Sequence, residues 1–310
     1  MGGPGEVDIR KLLTRPRRFP DDGAAARFLR LVGVDERAKE LVGDLHLIFN
    51  PVLAREWAER HHGTNLESLL GLLDDMVPLI VFEGDVGTGK TALAETIGDA
   101  VARENGYGVT MLKLSTQVRG TGYVGEMGTM LAAAFEQVAK QWQKSSLPVL
   151  LVIDEADSIL TSRAALDHHH EDKSGVNTVL QHLDALKQDA AQVAVIAITN
   201  RVGVLDPAVM RRATAVHTFD RPSSGERRAY FEQMFTGIRM PRDGVERLVQ
   251  ASEPRNDRTG KSTPLSWSDL TIRFVVPAVR AAVRRDQPLA LDALVEQLAR
   301  LPPSPLLEVK

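Results

Sequence analysis

Apolar residues along this chain fall into two alternating rhythms. One is the short, nearly unbroken run. It occurs at Leu79-Ile80-Val81-Phe82, from Gly108 to Leu114, from Pro148 to Ile153, from Val193 to Thr199 and, more mixed, from Ala215 to Phe219. Such runs predict strands, and the continuous ones from Pro148 to Ile153 and from Val193 to Thr199 predict buried strands. The other rhythm is helical, with apolar residues three or four apart. Leu93, Ile97 and Val101 form one stripe, on a helix expected from Thr91 to Asn105. Leu131, Phe135, Val138 and Trp142 form a second stripe, and Val179, Leu183 and Leu186 a third. This alternation predicts an α/β fold with a five-stranded parallel sheet covered by helices on both sides. Loops that carry chemistry then belong at the carboxyl ends of the strands.

On either side of this block only the helical rhythm remains. Residues 1–24, rich in Gly, Pro and Arg, predict a flexible, solvated arm. Phe28, Leu31 and Val32 fit one short helical face, and Leu41, Leu45 and Ile48 the next. Leu66, Leu69, Leu70 and Leu73 mark a further short helix before Pro78. Beyond Pro222 the strands stop. Tyr230 to Met234, Val245 to Val249, Leu270 to Ala282 and Leu291 to Leu298 mark four helices, with a polar exposed loop from Glu253 to Thr263. The expected organisation is an arm (1–24), a large α/β domain with N-terminal helices (25–221) and a small helical domain (222–310).

Composition narrows the classes. The 310 residues are 43% hydrophobic, enough for a sizeable core. Thirty-eight basic residues against 41 acidic ones give a net charge of −3, hence no general attraction to nucleic acid. Cysteine is absent, which excludes disulfides and thiolate metal sites. No apolar run is long enough to span a membrane. The start, MGGPGEVDIRK, lacks the apolar core of a signal peptide, so a cytoplasmic location is expected.

The chemistry concentrates after the first strand. Gly84-Asp85-Val86-Gly87-Thr88-Gly89-Lys90-Thr91 reads G-x-x-x-x-G-K-T, between a strand and a helix. Glycines let such a loop curl its N–H groups toward phosphate oxygens. Lys90 is placed to reach the β- and γ-phosphates and Thr91 to offer a hydroxyl to Mg²⁺. The helix starting at Thr91-Ala92 directs its positive end at the anion. Asp85 to Ala92 are therefore the candidate contacts for ATP or ADP. The apolar run 149–153 ends in Asp154-Glu155. Splitting a phosphoanhydride requires a carboxylate near Mg²⁺ and a group that orients or deprotonates water. Asp154 fits the first role and Glu155 the second. Asn200, at the end of the following run, can hydrogen-bond the water or the γ-phosphate.

These signals in this order resemble the AAA+ ATPases over about residues 30–300, with residues 222–310 as their lid. The resemblance implies that Val32-Gly33-Val34 contact the adenine base. It also implies that Arg212 is an arginine finger, reaching the nucleotide of the next subunit in a homohexamer. A second finger three residues later is missing, since that position is Ala215. Tyr123-Val124-Gly125 matches the aromatic–aliphatic–glycine loop that grips a polypeptide in the central pore of AAA+ unfoldases. His168-His169-His170 reads as a solvated loop, since adjacent histidines do not readily converge on one ion. The segments Val176–Lys187 and Arg212–Ser223 narrow the resemblance to the HORMA-domain remodelling AAA+ ATPases. Bacterial relatives of that family act in anti-phage operons beside a nucleotidyltransferase. The implied substrate is a HORMA-domain protein. The family's lid sensor Gly-Arg has no counterpart in Ser266-Trp267-Ser268. A generic unfoldase, a DNA-associated AAA+ machine and a nucleotide-gated switch without turnover are the competing readings. Salt-dependent DNA binding would favour the second and absence of turnover the third.

Overall fold

The computed structural model describes residues 12–119, 125–161, 171–201, 203–256 and 260–306. The chain divides into two compact units. One comprises residues up to Leu29, Glu36–Glu83 and Thr91–Thr218; the other comprises Arg30–Asp35, Gly84–Lys90 and the residues from Phe219 onward.

The first unit contains the sheet. Strand β1 (Arg17–Phe19) is followed by helices α1 (Asp22–Phe28), α2 (Asp35–Phe49), α3 (Val52–His62) and α4 (Glu67–Asp74). Then come β2 (Leu79–Gly84), α5 (Lys90–Ala94), α6 (Ile97–Asn105), β3 (Val109–Lys113) and α7 (Glu126–Ser145). The series continues with β4 (Val149–Ile153), α8 (Asp157–Leu160), α9 (Glu171–Gln188), β5 (Val193–Thr199), α10 (Pro207–Arg212) and β6 (Ala215–Phe219). Strand order is β1-β3-β4-β5-β2-β6. The inner neighbours β3, β4, β5 and β2 are parallel, with Leu112 opposite Leu151, Ile153 opposite Ala197 and Phe82 opposite Ile198.

All five expected strands are present, and the unbroken apolar runs are the central ones. Every residue of β4 and β5 is buried. Leu131, Phe135 and Val138 of α7 and Val179 and Leu183 of α9 close over one face with Leu151, Ile153 and Val195. Burying a side chain of this size contributes about 1.5–3 kcal/mol.

Three expectations change. The sheet has six strands, because Arg17–Phe19, expected within the arm, pairs antiparallel with β3 (Arg17↔Met111, Phe19↔Val109). Phe19 is 3% exposed, and this burial is what holds an otherwise charged segment to the sheet. The helix expected from Thr91 to Asn105 is interrupted between α5 and α6. There Thr96 turns its hydroxyl back onto the carbonyls of Ala92 (2.7 Å) and Leu93 (3.3 Å), and its amide bonds three residues back instead of four. Such back-bonding competes with the helix ladder.

The second unit gathers around its own core. Its elements are α11 (Ser224–Met234), α12 (Gly244–Ala251), β7 (Arg255–Asn256), β8 (Ser262–Thr263), a π-helical stretch Asp269–Val275, α13 (Val276–Arg285) and α14 (Leu291–Ala299). Ser223 and Glu226 form a reciprocal capping box that starts α11. Phe231, Leu248, Leu265, Phe274, Leu294 and Leu298 interlock at its centre. The third correction falls here. The loop expected to be exposed from Glu253 to Thr263 contains the antiparallel pair β7–β8, with Thr263 buried. Among the described residues no helix is long and apolar enough to cross a membrane.

Candidate functional site

The glycine-rich loop, Gly84–Lys90, belongs to the second unit. Gly84 has φ +144°, and a Cβ there would meet the Phe219 carbonyl oxygen at 2.2 Å. Gly87 has φ +75°, and a Cβ there would lie 2.7 Å from Ser268 Cβ. Only glycine meets both demands, so the loop's glycines are fixed by close approach as well as by turn geometry. The Ser268 amide donates to the Gly87 carbonyl at 3.1 Å. Ser266-Trp267-Ser268, which lacks the family's arginine, is thus packed directly on the loop. Lys90 is 3% exposed, and its Nζ donates to the carbonyls of Gly84 (3.0 Å) and Asp85 (2.6 Å) and to Thr88 Oγ1 (3.3 Å). Thr88 Oγ1 in turn donates to the Asp85 carbonyl at 2.8 Å. The loop therefore holds its cation by two main-chain oxygens and a hydroxyl, and the Val86 amide donates to Asp85 Oδ1 at 2.8 Å.

Val32-Gly33-Val34 falls in the same unit as the loop. Val32 packs against the helical core, Val34 is 6% exposed, and Gly33 adopts φ +73° beside Glu226.

The acidic pair leaves β4 in the first unit. Asp154 Oδ2 accepts from Thr91 Oγ1 at 3.2 Å, and Oδ1 accepts from the Glu155 amide at 3.0 Å. Thr91 and Ala92 lie in the first turn of α5. Two hard oxygen donors at this spacing fit Mg²⁺, which takes one or two protein oxygens and completes its shell with phosphate and water. Among the described residues no cluster of three His, Asp or Glu could hold a metal alone. A metal here would share its ligands with a phosphate. Glu155 has φ +53°, a conformation costly for a side chain of this kind and typical of residues held in place for function. Its carbonyl accepts from Ser158 Oγ at 2.7 Å, and the Ala156 amide donates to the Ile198 carbonyl at 2.7 Å, which pins the turn to β5. A cavity of about 150 Å³ opens beside the pair, lined by Lys113, Ser115, Asp154, Glu155 and Ser158 among others. Asn200 follows β5, the neighbour of β4, so it and Asp154-Glu155 emerge at adjacent strand ends.

Arg212 closes α10, and Asp206 caps that helix by accepting from the Ala208 amide at 2.8 Å. The Arg212 side chain is 43% exposed, with Nε 3.8 Å from Asp184 Oδ1 on α9. Ala215 opens β6. Gly125 precedes α7 with φ +81°. Tyr123 and Val124, like His168-His169-His170, lie outside the described residues.

Sequence reasoning missed two neighbours of the site. Lys113, at the end of β3, places Nζ 2.9 Å from both Asp154 Oδ2 and Glu95 Oε1. Burial pulls its pKa down, but the bonds to Glu95 and Asp154 outweigh this and raise it. Arg221 pairs with Asp85. Neither residue belongs to the motif patterns. For Lys113, the only signal was a cation ending an apolar strand.

Residues 80–221 match the ATPase family associated with various cellular activities (AAA). CD-NTase-associated protein 6 of Escherichia coli (strain MS 115-1) is 36% identical over 302 residues, which cover 95% of this chain and 96% of that protein. In structure, the chain is similar to one chain of the E. coli MS115-1 HORMA:CdnC:Trip13 complex, with TM-score 0.89 and 36% identity over 98% of this chain and all of that one. Rhizobiales Trip13 is similar at TM-score 0.74 and 33% identity, covering 95% of this chain and all of that one. A family match that spans both phosphate-handling motifs, within a likeness running nearly end to end, leads to one assignment: the chain belongs to the AAA ATPases, in the Trip13-like branch with CD-NTase-associated protein 6, and is a nucleotide-binding ATPase.

Proposed function

We propose that the chain is an ATP-driven remodeller that opens a closed HORMA-domain protein and thereby switches off a HORMA-activated nucleotidyltransferase of an anti-phage system in the cytoplasm. The observation that carries this reading is the full-length likeness to a chain found in a complex with HORMA and CdnC. In this reading Lys90 and the loop amides hold the phosphates of ATP, and Val32-Gly33-Val34 face the adenine. Thr91 and Asp154 would hold Mg²⁺, which would supply positive charge beside the phosphates. Glu155 deprotonates or orients the water and Asn200 helps to place it. Arg212 acts across a subunit boundary in a homohexamer, leaving Asp184 to meet the nucleotide of the next protomer. Tyr123-Val124-Gly125 grips the polypeptide, since an aromatic ring contacts many side chains without demanding a sequence. Successive ATP cycles then pull on an unstructured end and unfold it locally until the closed state opens.

The test incubates a closed HORMA–partner complex with ATP and either the parent protein or Tyr123→Ala, and follows dissociation. The parent dissociates the complex; Tyr123→Ala keeps ATPase activity but does not. Equal dissociation by both would refute the pore grip. If no HORMA complex responds to the parent, the substrate assignment fails while the ATPase assignment stands.

A further inference from the structure

Arg221 lies two residues beyond β6, and its side chain is 4% exposed. Its Nε donates to Asp85 Oδ2 at 2.6 Å, and Nη2 pairs with the same oxygen. Nη1 donates to the carbonyls of Pro264 (2.7 Å) and Ser304 (2.8 Å), and Nη2 also reaches the Pro305 carbonyl at 3.3 Å. The guanidinium fork is therefore fixed by main-chain oxygens on one side and spends its remaining reach on one carboxylate. Ser304 is itself held. Its amide and hydroxyl donate to the fully buried Asp269 at 3.1 and 2.6 Å. Burial pushes the Asp269 pKa up, but bonds from Ser304, Ser266 and Arg273 outweigh it and keep the carboxyl below its ordinary value.

Asp85 is the second residue of the phosphate loop. The G-x-x-x-x-G-K-T pattern asks for no particular side chain there. A carboxylate at that position faces two demands. It puts negative charge beside a site for phosphates, which weakens anion binding unless a cation offsets it. Its main chain also carries the loop, because the Asp85 carbonyl accepts from both Lys90 Nζ and Thr88 Oγ1. Whatever fixes Asp85 therefore fixes the position of Lys90.

We propose that Arg221 is a positioning residue for nucleotide binding. Anchored by the C-terminal segment at Ser304 and Pro305, it neutralises Asp85 and holds the loop in its phosphate-receiving form. The proposal rests on the loop's binding of nucleotide and is independent of which protein is remodelled. Arg221 acts through Asp85, so its removal is repaired by removing the charge it offsets.

The experiment measures ADP affinity by calorimetry, with thermal melting alongside, for the parent, Arg221→Gln, Arg221→Lys and the double variant Arg221→Gln/Asp85→Asn. Arg221→Gln weakens ADP about tenfold or more, because no cation then offsets the Asp85 charge in the phosphate loop. The double variant recovers at least about threefold of that loss. Arg221→Lys keeps the charge but gives up the fork's bonds to Pro264, Ser304 and Pro305, so it weakens ADP by less than about tenfold and by less than Arg221→Gln does. An affinity unchanged by Arg221→Gln overturns the proposal, and so does a double variant no tighter than the single one, which would mark a clamp that only holds the fold. If Arg221→Gln does not fold, the lysine variant decides. A folded Arg221→Lys protein that has lost tenfold or more in affinity contradicts charge neutralisation at Asp85, whereas a smaller loss upholds it. Loss of ADP binding in the parent itself would refute the loop's role and not the pairing.

Discussion

The Lys113 ammonium and the Thr91 hydroxyl meet the same oxygen, Oδ2 of Asp154, at 2.9 and 3.2 Å. A cation thus shares the carboxylate oxygen expected to face Mg²⁺, and it repels a divalent ion at short range. Lys113→Met is expected to tighten Mn²⁺ binding in the presence of ADP by about threefold to tenfold, a modest change because the pair is partly solvated. Electron paramagnetic resonance titration reads this directly. Weaker Mn²⁺ binding would mean that Lys113 orients Asp154 for the metal instead of competing with it.

Glu155→Gln is expected to bind ATP as the parent does while hydrolysis falls about a hundredfold or more, the scale of a lost general base. Lys90→Ala is expected to weaken binding itself. Single-turnover hydrolysis paired with equilibrium binding separates the two. A Glu155→Gln protein that turns over normally would move the base to another residue.

Arg212 has an acidic neighbour within its own chain and 43% of its side chain in solvent. Mixing Lys90→Ala protomers with Arg212→Ala protomers is expected to restore part of the lost ATPase activity. Some interfaces would then join an intact loop to an intact finger. No recovery, combined with an active monomer, would place the working arginine in cis.

The imidazole of His217, on β6, packs edge-on to Phe82 with ring centres 5.7 Å apart. Its Nε2 has no hydrogen-bond partner among the described residues, and Asp44 Oδ2 lies 4.0 Å away. Burial lowers its pKa; Asp44 and Glu40 oppose the shift, and Arg37 adds to it. The unfolded chain then binds the proton more readily than the folded one. The stability contributed is complete above about pH 6.5 and is lost as pH falls from there through the depressed folded-state value. Melting temperature is expected to decline as pH drops from about 6.5 to 5, with a shallower slope for His217→Phe. An unchanged slope would assign the sensitivity elsewhere, for instance to His182, whose pKa burial also lowers.

The parts of this protein that periodicity could reveal were the ones repeated by physics. β4 and β5 are buried on both faces, so nothing polar interrupts them and their ends read directly from the sequence. Lys90, Thr91, Asp154 and Glu155 were legible because phosphate chemistry imposes their spacing along one chain segment. Arg221 and Lys113 were not, because their meaning lies in partners 136 and 41 positions away. The break at Thr96 was hidden for a related reason. Leu93, Ile97 and Val101 keep a helical stripe across it, and only the hydroxyl's choice of carbonyl reveals the interruption. The strand at Arg17–Phe19 has a single buried residue, preceded by two arginines and followed by Pro20, too little for any period.

That short strand also governs how the molecule meets other copies of itself while folding. Without it, β3 would present a bare row of amide and carbonyl groups, an open template on which a second chain could add a strand. β1 fills the row, and its Arg18 is exposed, a charge on the strand that now forms the edge of the sheet. A chain that starts after residue 20 would keep every phosphate-handling residue and still be poorly soluble. Its failure would be misassembly and not a defect of the ATPase site.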